Sequence, residues 1–249
     1  MPVSIEVRGH VLLVRLDRDV KLNAMDREMT LGLDAAMNRL EDDDALWVGV
    51  LTGNGRAFSA GSDLADPDRN STERGGPYGL IRRARRKPLI AAVDGLAYGG
   101  GFEMVLACDL VVASRRARFA LPEVKRGLLA LYGGVFRAAR ALPPNLAREL
   151  VMTGEPIGAE RAHVLGLVNR LCIDGAAIDE ALQLAEAICA NSPVAVRESL
   201  GVLNQAIEAA DQLAWQLSGE AAARVRGSAD SREGIDAFLG KRAPVWRGR

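Results

Sequence analysis

This chain is poor in the residues from which many catalytic motifs are built. Its 249 residues include two histidines and three cysteines. With no third histidine, no HExxH and no CxxC spacing, there is no motif for a metal site. A serine hydrolase needs a histidine base, and neither His10 nor His163 sits in a motif that would supply one. His10 falls in a predicted hairpin turn and His163 on a predicted helix among apolar neighbours, so both read as structural. Cys108, Cys172 and Cys189 are an odd, scattered set, which fits a reduced cytoplasm better than a disulfide framework. Charge of one sign is missing too. The 32 basic and 32 acidic residues cancel, and nothing global points to nucleic acid or an anionic membrane. No apolar run approaches the ~20 residues of a membrane span. Residues 1–14 alternate apolar and polar instead of following the layout of a signal peptide.

What is present is a globular composition. Its 49% of hydrophobic residues suits a sizeable core, and the length fits one large domain or one domain with an appendage. Ile5 to Val7 and Val11 to Leu16 flank Arg8-Gly9-His10 and read as a hairpin. Residues 23–40 carry helical apolar spacing (Met25, Met29, Leu33, Met37, Leu40), with Asn23 or Asp26 as N-cap. Residues 47–52, 88–93 and 110–113 are short apolar runs, the form of buried strands, and 102–108 read as a helix. Strands alternating with helices predict an α/β fold with helices covering the sheet. After Pro143-Pro144 the strand signal nearly vanishes. Residues 146–152, 159–165, 178–190, 194–223 and 230–239 read as helices, with one short strand at 168–172. We read residues 1–190 as an α/β core and 191–249 as a helical C-terminal region.

Two glycine-rich stretches say most about chemistry: Gly53 to Leu64 (GNGRAFSAGSDL) and Gly99-Gly100-Gly101-Phe102-Glu103. The first lacks the lysine and hydroxyl residue of a P-loop, and the second lacks GxGxxG spacing. Each instead follows a buried strand, exposes backbone N–H groups and leads to an acid, Asp63 or Glu103. Two converging N–H donors can hold a developing oxyanion, and an acid beside them can move protons. That pattern suits carbonyl chemistry on a thioester.

With these loops in place the chain resembles the enoyl-CoA hydratase/isomerase, or crotonase, superfamily. GNGRAFSAGSDL at 53–64 looks like its first oxyanion loop and AAVDGLAYGGGFEMVLACDLVVAS at 91–114 like its second. LPEVKRGL at 121–128, TGEPIGAERAHVLGLVN at 153–169 and FLGKRAPVW at 238–246 match in family order. The resemblance implies a crotonase-like spiral of ββα units, with the helical tail packing a homotrimer, or a hexamer of two trimers, and completing the CoA site. It implies that the N–H groups of Ala60 and Gly100 bind the thioester oxygen, while Glu103 and Glu123 orient one water. Ala24, Gly61, Ser62, Asp63, Tyr132, Phe238 and Lys241 become the substrate and CoA contacts, with Asp63 bracing its loop and Phe238 and Lys241 reaching across to a neighbouring subunit.

The glutamate pair favours addition of water to a 2-enoyl-CoA, or its reverse, with no metal and no cofactor beyond the CoA of the substrate. Isomerisation, dehalogenation, hydrolysis or C–C cleavage on the same scaffold remain open, as does a non-catalytic acyl-CoA-binding protein. Leu131 and Tyr132 replace the small residues usual in the family and narrow the acyl end. The polar segment 65–78 reads as a mobile loop, and Arg82 to Lys87 as a charge run of the kind that covers a solvated helix face.

Overall fold

A computed structural model of the chain describes residues 2–66, 70–208 and 211–246. The N-terminal hairpin pairs β1 (Val3–Arg8) with β2 (Val11–Leu16). Helix α1 (Arg27–Asp42) is capped by Asp26, whose carboxylate accepts the Met29 N–H at 2.9 Å. Three strand pairs follow. The first is β3 (Val48–Gly53) with β4 (Ala57–Ser59), after which comes a small hairpin of β5 (Ser71–Thr72) and β6 (Gly76–Pro77). The second is β7 (Leu89–Val93) with β8 (Leu96–Tyr98), leading into α2 (Gly100–Ala107). The third is β9 (Leu110–Ser114) with β10 (Arg118–Ala120), leading to a 3₁₀ turn at Pro122–Arg126 and to α3 (Gly134–Ala141) and α4 (Pro144–Thr153). After β11 (Ile157–Gly158), α5 (Ala159–Val164) and β12 (Arg170–Cys172), the chain is helical. Its last elements are α6 (Ala177–Cys189), α7 (Pro193–Glu208), α8 (Asp211–Gly227) and α9 (Ala229–Leu239).

The two strands of each pair go to different sheets. β3, β7 and β9 lie in a six-stranded sheet ordered β1-β2-β3-β7-β9-β12, parallel except for the N-terminal hairpin. β4, β8 and β10 lie in a four-stranded sheet ordered β11-β10-β8-β4. Repeating that step winds the chain into the crotonase-like α/β spiral. The larger sheet is covered on both faces, which is why its strands read as unbroken apolar runs. Leu13, Val50, Ile90 and Val112 pack with Ala181, Leu182 and Ala185 of α6. Leu12, Val14, Leu51 and Ala91 join the other core with α1 and with Phe58 and Phe119 of the smaller sheet.

Several expectations change. Residues 194–223 form parts of two helices, α7 and α8, rather than one. The second half of segment 65–78 is a tethered hairpin: Thr72 Oγ1 donates to Asp34 and Arg74 pairs with Asp42, both at 2.6 Å. Pro67 and Asp68, part of the same expectation, lie outside the described residues. The two histidines contact backbone carbonyls, with His10 Nδ1 2.8 Å from Ala45 O and His163 Nδ1 2.7 Å from Val168 O. Among the described residues no helix is long and apolar enough to cross a membrane.

The run at 82–87 is not a solvated helix face. Arg83 pairs with Asp34 and Arg85 with Asp109, each at 2.5 Å, and buried Lys87 donates through Nζ to Leu40 O and Asp43 O at the end of α1. Their partners are distant in sequence, so the pattern alone reads as exposed. Arg85→Ala would leave the Asp109 carboxylate without its guanidinium in a poorly hydrated site, at a cost of about 3–5 kcal/mol. Thermal denaturation should show the loss at roughly 2–4 °C per kcal/mol for a chain of this size.

Candidate active site

The first glycine loop is laced by Asn23, which is fully buried. Its Nδ2 donates to Asn54 O at 2.9 Å and Ala57 O at 2.7 Å, and Ser59 Oγ donates to Asn23 O at 2.8 Å. Asn23 is therefore a loop brace, while Asp26 caps the helix. Beyond β4 the backbone bridges Met25, whose N–H donates to Gly61 O at 2.7 Å, while the Asp63 N–H donates to Met25 O at 2.9 Å. With both neighbours bonded to Met25, Ser62 turns its own N–H to the opposite side. That N–H makes no hydrogen bond among the described residues, and Ser62 lines a cavity of about 550 Å³.

Gly61 sits at φ +92°, and a Cβ there would lie 2.8 Å from Gly100 N. Only glycine allows the two loops to approach this closely. Gly100 opens α2 and lines the same cavity, so its N–H lacks an intrahelical partner and stands at the positive end of the helix. The expectation for Ala60 needs correction. Ala60 lines the cavity, but its N–H donates to Leu22 O at 2.9 Å and is committed to the backbone. The free donor is two residues on, at Ser62. The AGS motif does not reveal this, because the pairing with Met25 decides which N–H turns inward.

Glu103, in the first turn of α2, and Glu123, on the 3₁₀ turn at 122–126, both line the cavity. Glu103 is 2% exposed, and its Oε1 accepts the Gly134 N–H at 2.9 Å. Burial lifts its carboxyl well above the usual carboxylate range, and the charge of Glu123 adds to the rise. Burial lifts Glu123 as well. Its Oε2 is buried with no hydrogen-bond partner among the described residues. An orphaned carboxyl oxygen at a cavity wall is a seat for a water or a substrate hydroxyl.

Ala24, Asp63 and Tyr132 also line the cavity, and so does Phe238, which was expected to reach a neighbouring subunit and instead faces the cavity of its own chain. Asp63 is held by Arg18 at 2.9 Å, and Arg18 also reaches Asp26 at 3.2 Å, tying the loop to the cap of α1. Phe238 lies beneath the Arg126 guanidinium, 4.7 Å from its ring centroid. Gly61 supports the wall without facing the cavity, and Lys241 and residues 82–87 are not part of it. Tyr78 and Arg126 line it although neither was singled out beforehand. Arg126 had a signal, a cation three residues after Glu123, whereas Tyr78 was hidden in a polar loop.

The family model for enoyl-CoA hydratase/isomerase matches residues 6–249. The chain is 36% identical to mevalonyl-coenzyme A hydratase of Aspergillus fumigatus, over 96% of this chain and 92% of that protein. It is 37% identical to 2,3-dehydroadipyl-CoA hydratase of Escherichia coli, over 96% of each. Among solved structures, a carnitinyl-CoA hydratase from Mycobacterium avium superposes with a TM-score of 0.95 at 39% identity, covering 100% of this chain and 99% of that one. The chain belongs to the enoyl-CoA hydratase/isomerase family.

Proposed function

We propose that the protein is an enoyl-CoA hydratase-like lyase that adds water to a 2-enoyl-CoA or removes it from a 3-hydroxyacyl-CoA. One observation carries the reading: two buried carboxyl groups share a cavity with the backbone donors of Ser62 and Gly100. The thioester oxygen accepts from both N–H groups. One carboxylate takes a proton as the water oxygen bonds to C3, the electrons move to the thioester oxygen as an enolate, and the other carboxyl gives its proton to C2. This division needs one neutral and one ionised acid, and buried carboxyls with raised pKa values supply both near neutral pH. CoA arrives with the substrate, and the steps draw on no metal or redox group. Relatives named as hydratases of CoA thioesters support the reading. Loss of enoyl-thioester absorbance across a panel of chain lengths tests it; tight acyl-CoA binding with no turnover would favour the non-catalytic alternative.

The same reading makes the protein a cytoplasmic homotrimer, or a hexamer of two trimers, assembled through residues 191–249. Leu203 and Leu213 are about 60% exposed on α7 and α8, and Leu217 is 54% exposed. Trp215 is not part of this surface, since it packs against Phe136 and beneath Arg82 of its own chain. Light scattering should give three or six times the 26.6 kDa chain mass; a monomer at micromolar concentration would remove the basis for a cross-subunit role of Lys241.

A further inference from the structure

Ser62 and Tyr78 form a hydroxyl pair in the cavity wall that the hydration steps leave unused. Their oxygens lie 2.5 Å apart. Tyr78 is fully buried, with its ring edge-on to Tyr132 at 5.1 Å between centroids, and a Cβ on Gly100 would collide with its hydroxyl oxygen. Two hydroxyls that share one hydrogen bond hold one hydrogen more than that bond uses. A phenol is a stronger acid than an alcohol and the better donor, so Tyr78 donates to Ser62 Oγ and the serine hydrogen is left over. Tyr78 is enclosed, whereas Ser62 is half-buried and borders the cavity. The spare hydrogen is available only to what fills that cavity.

The thioester oxygen is not its natural acceptor. In the bound substrate the thioester carbonyl oxygen has two lone pairs, and the Ser62 and Gly100 N–H groups take both. The pair instead continues through Tyr78 to Tyr132 and Leu131, on the wall that narrows the acyl end. Resting on the hydratase reading, we propose that Ser62, positioned by Tyr78, is a specificity determinant for a neutral oxygen, hydroxyl or carbonyl, on the acyl chain next to the reacting double bond. Charge argues against a carboxylate there. Asp63, Glu103 and Glu123 outnumber Lys21 and Arg126 along this cavity and would repel a further carboxyl.

The test compares kcat/KM for crotonyl-CoA, 4-hydroxycrotonyl-CoA and the CoA monothioester of fumarate in wild type, Ser62→Ala, Tyr78→Phe and the double variant. Wild type should favour the hydroxylated substrate over the plain one by about tenfold or more, because a built donor left unmet penalises the plain chain. Each single variant should bring that ratio near one, and the double variant no further, since the hydroxyls act as a unit. A wild-type ratio near one overturns the proposal. So does an equal loss on both substrates, which would make the hydroxyl a third oxyanion donor, and so does a preference for the carboxylate. Wild type that hydrates none of the three overturns the hydratase reading itself. Should Tyr78→Phe fail to fold, Ser62→Ala, which keeps the backbone N–H, decides alone.

Discussion

Glu103→Gln and Glu123→Gln are each expected to lower kcat for enoyl-CoA hydration by about 10²–10⁴-fold, the usual contribution of a positioned acid or base. Glutamine keeps the size of the side chain and, at position 103, an oxygen that can still accept the Gly134 N–H. What it removes is the proton transfer. Because both carboxyls serve one water, the double variant should lose much less than the product of the single losses. Steady-state kinetics at saturating substrate measures this directly, and near-normal hydration by either single variant would refute the pairing.

The same substitution has an opposite effect on stability. A carboxyl whose pKa is raised on folding binds its proton more tightly in the folded state. Its stabilising contribution is full below the unfolded value and is lost as pH rises through the folded one. Wild type should therefore lose stability from about pH 5 towards pH 9. Glu103→Gln carries no charge to bury, so its melting temperature should exceed that of wild type at high pH and approach it at low pH. An inactive variant that is also more stable is the signature of a buried catalytic acid.

Gly61→Ala is expected to lower kcat by about 10²-fold or more while leaving both carboxyls in place. The added methyl would lie 2.8 Å from Gly100 N and 3.0 Å from Tyr98 O, at a φ of +92° that alanine rarely adopts. The loop bearing Ser62 must move away from the start of α2, and the two N–H donors no longer meet at one oxygen. Loss of one such donor costs about 10²–10³ in kcat, and a shift of about 1 Å in alignment has comparable consequences. The effect should fall on kcat more than on KM. An alanine variant with normal kcat would mean that the close approach of the loops does not set the oxyanion geometry.

Much of this was legible from the chain alone because the signals are local. Apolar runs at 47–52, 88–93 and 110–113 correspond to β3, β7 and β9, since strands covered on both faces need apolar residues at every position. The glycine runs and the two acids lie in contiguous motifs, so the family resemblance they carry groups Ala60, Gly100, Glu103 and Glu123 at one site. The strands of the smaller sheet are two or three residues long and show no period. They exist because neighbouring segments of the spiral pair with them.

The sequence by itself determined the alternation of buried strands with helices, the resemblance to the family and the identity of both glutamates, because each is written in a short contiguous segment. The tertiary structure decided what depends on partners far along the chain. Met25 turns the Ser62 N–H towards the cavity while Leu22 takes the Ala60 N–H, a choice that the motif does not contain. Asp34 and Asp109 draw Arg83 and Arg85 into the interior, against the exposure their charge predicts. Tyr78, at the end of a polar segment, becomes a buried wall of the site only when its hydroxyl meets Ser62 and its ring meets Tyr132. In each case the direction of a single donor or charge is set by a contact across the fold, where side-chain type and spacing carry no information.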